Sequence, residues 1–470
     1  VAWKEEISLF LNREHYISRE AQASPPRFSR CFRNFLEKVL LKGLLLLSLV
    51  FGFTLEAFSG EEEKLLSLEE CVSLALEHHP GAREASAKVE EALGQLGLAK
   101  TGDNVTANLN VNYTRERGFN DQDARDSYNT SAVLSKTLFD WGRTETEIAI
   151  ALEGLDISRL QEYRSLEEIV FNVEKAYYGL LESLRDATVA RETLERYEEH
   201  LRRAKIFYEV GSTPYFDVTA AEVDKSKARI ALIQGDSGVR KARTVLYNAL
   251  GLPASINYGI QDLLDYEEVQ IPFEEVLSQA FAWRGDLKAV SREVVQISQE
   301  IHLIGRQNAP LLGARGSYRV GGADPADKDA WSLGMELSIP LYDGGVTQEK
   351  LRKARGTLER KKAQERLLRQ NVVLQVEQAW LSLQEAEESI RVAALAKRQA
   401  EEKLALATER YEVGMGSSIE ITDANESMSD AARDYNRALY TYSMARAGLR
   451  YATGRSLVSY GYRKGPFQGK

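Results

Sequence analysis

The chain predicts an α+β membrane protein in which one unit is written twice, each copy supplying two short strands and one very long helix. Three observations predict it. Tyr208-Glu209-Val210-Gly211 returns as Tyr411-Glu412-Val413-Gly414, and the same offset of 203 places Leu138-Phe139-Asp140 on Leu341-Tyr342-Asp343, Asp217 on Glu420 and Gly251 on Gly454. Four segments of about ten residues alternate apolar and polar side chains, the period-two signature of strands. Two proline-free tracts, near 144–210 and 347–413, would each run ~100 Å as helix at 1.5 Å per residue. A period this long denotes two copies of a whole unit, whereas stacked arrays repeat every few tens of residues.

Upstream the offset becomes 205, where Leu68-Glu69-Glu70 matches Phe273-Glu274-Glu275. The copies therefore differ by two residues, expected in a strand-connecting loop. The chain divides into an extension and export signal (1–59), a first repeat (60–251), a joining segment with prolines and acids (252–272), a second repeat (273–454) and a tail (455–470) whose Gly/Lys-rich end reads as disordered.

Within 1–59, Lys42 precedes the apolar run 44–53, too short to span a bilayer as a helix, and Ala57-Phe58-Ser59 follows with small residues where a signal peptidase cuts. We expect cleavage there and translation starting near Val39 or Leu41. Residues 1–60 hold eight Lys/Arg and six Asp/Glu, so removing them takes the formal charge from −9 to −11. An acidic exported body does not suit nucleic-acid binding. Cys31 lies before the cut and Cys71 after it, which leaves no intramolecular disulfide and no cysteine placed for a lipid anchor.

In the first strand segment Val105, Ala107, Leu109, Val111 and Tyr113 alternate with Thr106, Asn108, Asn110 and Asn112; in the second, Tyr128, Ala132, Leu134 and Leu138 alternate with Asn129, Ser131, Ser135 and Thr137. The second copy opposes Leu312, Ala314, Tyr318 and Val320 to Arg315, Ser317 and Arg319. Its last segment then opposes Trp331, Leu333, Met335, Leu337, Ile339 and Leu341 to Ser332, Glu336 and Ser338. Strands of this length cross a bilayer at a tilt with the apolar parity toward lipid. Alternation alone is equally compatible with an ordinary sheet that has one wet face. Export and strand number favour the membrane, and four strands cannot close there, because open edges in lipid leave backbone groups unsatisfied. The barrel would have to be shared; three chains would give twelve strands.

Leu166, Val170, Val173, Tyr177, Leu180, Leu184 and Ala187 follow a four-three spacing, a coiled-coil seam. So long a helix needs partners in water. Tracts near 81–100 and 215–250, and near 286–307 and 418–452, supply them, with Gly211 and Gly414 reversing the chain.

These residues resemble the TolC-type outer-membrane efflux family. The resemblance rests on the doubled strand-strand-helix plan, Leu-Phe-Asp-Trp-Gly (138–142) and Pro-Leu-Tyr-Asp-Gly-Gly (340–345) at strand-to-helix junctions, and Tyr-Glu-Val-Gly at both turns, over 68–454. It implies a homotrimer whose twelve strands form one outer-membrane barrel, continued by a helical coiled-coil barrel through the periplasm. It also implies an exit duct of a tripartite efflux or type I secretion system, docking to a periplasmic adaptor and an inner-membrane pump. It places Glu420 and Asp423 at the channel constriction, where six carboxylates would attract cations and raise one another's pKa. Both residues would in any case suit the start of a helix. Tyr411 and Asp217 fall on positions that tie the tunnel shut, and Gly211, Ser212, Gly414 and Met415 on the adaptor-docking turns. Where the family has an arginine past the second turn this chain has Gly416, so one tie is missing.

Other chemistry is weak. His78 and His79 point apart on a helix, His200 and His302 read as solvated, and no metal or cofactor site, phosphate loop or nucleophile motif appears. Gly321-Gly322 and Gly344-Gly345 read as loop and junction glycines. A different class remains open, an exported coiled-coil scaffold or adhesin whose strands form a soluble sheet.

Overall fold

The computed structural model describes residues 65–117, 125–253, 258–262, 266, 271–322 and 329–461. The expected export signal, the start site, Cys31 and the end of the tail lie outside the described residues.

The first half runs β1 (Leu65–Leu66), α1 (Leu68–His78), α2 (Pro80–Lys100), β2 (Thr106–Glu116), β3 (Arg125–Phe139), α3 (Arg143–Glu209) and α4 (Tyr215–Leu250), with β4 (Gly259–Ile260) between the halves. The second runs α5 (Phe273–Trp283), α6 (Gly285–Gly305), β5 (Leu311–Gly322), β6 (Asp329–Ser338), α7 (Val346–Glu412), α8 (Ser418–Thr453) and the short α9 (Ser456–Ser459). Helices α3 and α7 each have 67 residues and α4 and α8 each have 36. No insertion therefore falls within these four, and the two-residue shift lies between the starts of β2 and β5 and those of α3 and α7.

Four strands form one antiparallel sheet in the order β2-β3-β5-β6. Its register puts Leu109, Ala132, Tyr318 and Trp331 in one row, and Ala107, Leu134, Gly316 and Leu333 in the next. Directly paired residues share a face, so the apolar sets of all four strands lie on one side. The other side carries Asn108, Asn110, Ser131, Ser317, Arg319 and Ser332. Leu109 is 70% exposed, Trp331 and Leu333 are each 78%, and Met335 is 77%, an oily surface that none of the described residues covers. Ile339 lies one residue past β6, and the expected strand to Leu341 stops at Ser338 because Pro340 has no N–H for the ladder. Gly321 lies within β5, not in a loop: a Cβ there would stand 2.5 Å from the Tyr128 carbonyl oxygen.

Each long helix starts from its junction aspartate. Asp140 Oδ1 accepts from the backbone N–H of Gly142 (3.0 Å) and Arg143 (3.2 Å), and Oδ2 from Thr144 N (2.8 Å) and Oγ1 (2.6 Å). Asp343 repeats this with Gly345 N (2.9 Å) and Thr347 N (2.8 Å). Gly142 and Gly345 sit at φ 76° and 85°, a left-handed conformation that glycine adopts without strain. The two motifs are helix caps.

Beyond the sheet the helices lie side by side as α2-α3-α6-α7, and farther along as α4-α3-α8-α7. The predicted seam of α3 is buried from Leu166 to Ala187, apart from half-buried Leu184. Midway, Tyr177 donates to Gln261 O (2.6 Å) and its repeat counterpart Trp380 donates to Ile271 O (3.0 Å), pinning the joining segment to both long helices. Gly251 ends α4 at φ 70° against His79, whose Cα would be 2.7 Å from an added Cβ, and Gly454 ends α8 at φ 74° against Arg284 in the same way, at 3.1 Å.

Burial opposes ionisation of Asp140, but its hydrogen bonds from Thr144, Gly142 and Arg143 outweigh it and hold the carboxyl below its ordinary range. A depressed carboxylate stabilises the fold above its unfolded pKa and loses that contribution as pH falls through the folded value. Asp140→Ala should therefore cost about 1 kcal/mol, up to about 2, at neutral pH, measurable by denaturant melting, with the deficit shrinking in acid.

Candidate functional site

The predicted site residues gather where the two helical hairpins, α3–α4 and α7–α8, turn. Both turns close alike: Ser212 N donates to Phe207 O (2.8 Å) and Met415 N to Arg410 O (2.8 Å), around Gly211 at φ 76° and Gly414 at φ 77°. These are left-handed glycine C-caps with the six-to-one bond of a Schellman turn. The tips are oily. Val210 is 70% exposed, Met415 76% and Ile419 71%, while Tyr208 packs against Tyr215 with ring centroids 5.3 Å apart.

Glu420 and Asp423 lie on the first turns of α8, and Ser417 caps that helix by accepting from Glu420 N (3.2 Å). Each carboxylate meets a base from α7: Glu420 Oε2 is 3.5 Å from Arg410 Nε, and Asp423 Oδ2 is 2.6 Å from Lys403 Nζ. The pairs are exposed, so each is worth at most about 1 kcal/mol. They still lower the net charge this surface presents.

Tyr411 and Asp217 occupy different environments. Tyr411 is buried, its ring 5.3 Å from both His200 and Phe207 of α3, and among the described residues its hydroxyl has no hydrogen-bond partner. Asp217, in the first turn of α4, acts on it through charge: burial and then Asp217 push the Tyr411 hydroxyl pKa upward, while Arg203 opposes.

A series of hydrogen bonds invisible to sequence spacing joins the first hairpin to the second. Thr193 Oγ1 and Ser429 Oγ are 2.7 Å apart, Arg196 Nε donates to Asn425 Oδ1 (3.1 Å), Thr422 donates to Asp224 Oδ2 (3.0 Å), and Arg203 pairs with Glu412. His200, expected in solvent, is 3% exposed, with Nε2 3.0 Å from Ser418 Oγ. The error is physical: the charged residues beside His200 in sequence occupy other faces of α3, while its own face meets α8.

Gly416 has a steric cause. Its N–H donates to Arg410 O (2.9 Å), and an added Cβ would lie 2.9 Å from Tyr411 N and 3.2 Å from Arg410 Cβ. An arginine cannot enter without opening the turn, and the basic group near Glu420 comes from Arg410 instead. Among the described residues no group of His, Cys, Asp or Glu is placed to hold a metal, and no helix is long and apolar enough to cross a membrane.

The profile of the family described as outer membrane efflux protein matches residues 71–252 and 276–455. The chain is 23% identical over 432 residues to outer membrane protein TolC of Salmonella enteritidis, spanning 87% of this chain and 86% of that protein. It is 23% identical to the alkaline protease secretion protein AprF of Pseudomonas aeruginosa, over 84% of this chain and 85% of that protein. In fold it is similar to the Campylobacter jejuni CmeC outer membrane channel, with TM-score 0.73 and 16% identity over 85% of this chain and 91% of that one. The open-state Neisseria gonorrhoeae MtrE outer membrane channel gives TM-score 0.72 and 20% identity over 83% and 89%.

Replacing Gly416 by Arg should loosen the second turn while leaving the first intact. Hydrogen exchange should speed up at residues 414–416 and not at 211–213; unchanged exchange would mean that the close approach does not constrain the turn.

Proposed function

This chain belongs to the outer membrane efflux protein family, and from that premise we propose that three copies form the exit duct of an efflux or type I secretion system. Twelve strands would close one barrel in the outer membrane, and the helices of repeats 60–251 and 273–454 would continue it as a tunnel through the periplasm. The observation that carries this is a pair of open layers in a single chain. Among the described residues the sheet ends at β2 and β6, each paired on one side only, with its oily face exposed. The helix layer likewise ends at α7 on one side, where Leu367, Leu374 and Leu381 are exposed at heptad spacing, and at α4 on the other, with Phe216, Val223 and Ile230. Heptad stripes in water need a partner helix, and a sheet edge in lipid needs a partner strand. Rotational repetition of one chain meets both needs.

The lipid-facing set is Leu109, Val111, Tyr113, Leu134, Tyr318, Trp331, Leu333, Met335 and Leu337, with Ile339 at the boundary. The hairpin tips form the periplasmic entrance, where Glu420 and Asp423 ring the constriction and Tyr411 with Asp217 help hold it closed. The exposed turns at Gly211, Ser212, Gly414 and Met415 suit docking of a periplasmic adaptor bound to an inner-membrane pump. Relatives carry names for both efflux and protease secretion, and cargo selection on this reading lies with the pump.

In planar bilayers the purified protein should show a small cation-selective conductance that grows in Glu420→Ala/Asp423→Ala and in Tyr411→Phe/Asp217→Ala. A soluble monomer without conductance would overturn the duct. Leu337→Arg should cost up to about 2–4 kcal/mol if it lies near the bilayer midplane and should reduce membrane-assembled protein, whereas a water-exposed strand would tolerate it.

A further inference from the structure

We propose that His200 is an acid-sensitive latch between the two helical hairpins, holding them together while its ring is neutral and releasing them when the ring takes up a second proton. This rests on the reading of the hairpin tips as the duct's closure.

The geometry favours a neutral ring. His200 projects from α3 into the second hairpin, with Nε2 3.0 Å from the hydroxyl of Ser418 and its ring edge-on to Tyr411 of α7. Ser418 is the first residue of α8 and is itself buried. Among the described residues Nδ1 is buried without a hydrogen-bond partner, and the ring borders a cavity of about 440 Å³. An imidazolium here would present a second N–H that meets no acceptor among the described residues. It would also set a positive charge against the amino end of α8, where the unpaired backbone N–H groups are already positive.

The surrounding charges do not reverse this. On α3, Arg203 opposes protonation, while Glu199 is engaged by Arg203 (2.9 Å) and Arg196 is drawn to Asn425. Glu192 and Glu195 line the same cavity, and Glu192 lies 3.9 Å from Arg196. From α4, Asp224 and Asp217 favour the cation, but Asp224 accepts a hydrogen bond from Thr422. The α7 neighbour is Tyr411, and α8 contributes the uncharged Ser418, Ile421 and Asn425. Burial is the largest influence and pushes the His200 imidazole below its ordinary value.

The sign follows by linkage. With the hairpins together His200 binds a proton less readily than an exposed histidine does; with them apart it titrates near the ordinary value of about 6.5. The closed arrangement binds fewer protons, so its advantage is complete above that value and declines as pH falls through it. Three chains would contribute up to three protons and sharpen the response.

The test is bilayer open probability between about pH 8 and about pH 5.5, which brackets the histidine range. The variants are His200→Gln, which keeps an amide able to meet Ser418 but cannot titrate, Ser418→Ala, and the closure control Thr193→Cys/Ser429→Cys. The wild type should open several-fold more often in acid and His200→Gln should stay flat. Ser418→Ala should be leakier at neutral pH yet still respond to acid. Histidine-labelled NMR on the intact assembly should place the His200 titration below that of an exposed histidine; a titration at or above it overturns the latch, as does a wild-type acid response retained in His200→Gln. Reducing the engineered disulfide in acid should open the pore. If reduction changes nothing, the closure reading fails and takes the latch with it; if reduction opens the pore while His200→Gln follows the wild type, the latch alone is wrong.

Discussion

The structure depends on edges that one chain cannot satisfy. Among the described residues a four-stranded sheet with an exposed apolar face leaves the outer backbone groups of β2 and β6 without partners, and in hydrocarbon each such group costs several kcal/mol. The helix layer has the same incompleteness, with exposed heptad leucines on α7 and apolar residues on α4. Both layers end on non-equivalent elements of the repeat, β2 and α4 from copy one and β6 and α7 from copy two. Duplication gives the chain two different sides, and on the proposed reading repetition around an axis joins them.

Such long helices need more than propensity. Each is started by an aspartate that satisfies orphan N–H groups and ended by a left-handed glycine, so neither end frays into the junction beside it. The middle is held by a buried polar belt in which Arg450 pairs with Glu174, Tyr460 donates to the same carboxylate (2.6 Å), and Arg284 meets Asp286 and Gln375. The hairpin ends are different. Hydrophobic clusters there are small, such as Ala407, Tyr411, Ile421 and Ala424, and much of the contact between hairpins is polar. A seam of hydrogen bonds can exchange with water when it separates, and the hairpin ends are less committed to apolar burial than the middle of the helix layer.

Much of the fold was legible because strand parity and helix length are local properties. Leu109, Trp331 and their neighbours announce one face by period two alone, and Gly211 and Gly414 announce the turns by chain reversal. The candidate site was reached only through the family resemblance. That resemblance singled out Glu420 and Asp423, but their partners Arg410 and Lys403 sit on the antiparallel helix, where sequence distance says little about proximity. Gly416 reads in sequence as a missing arginine and in space as a position with no room for a side chain. His200 was misjudged because its sequence neighbours are charged, and only the packing of α3 on α8 shows which face it occupies. No sequence signal would have paired it with Ser418, 218 residues away.

The central claim is that β6 of one chain completes its ladder on β2 of another. Cysteines placed singly along β2 and β6, combined as pairs across a range of registers and oxidised in the membrane, measure this directly. The account predicts one or a few neighbouring registers that trap a covalent species of three chains and no larger ladder. Monomers in every register, or an open series of higher multimers, would contradict it.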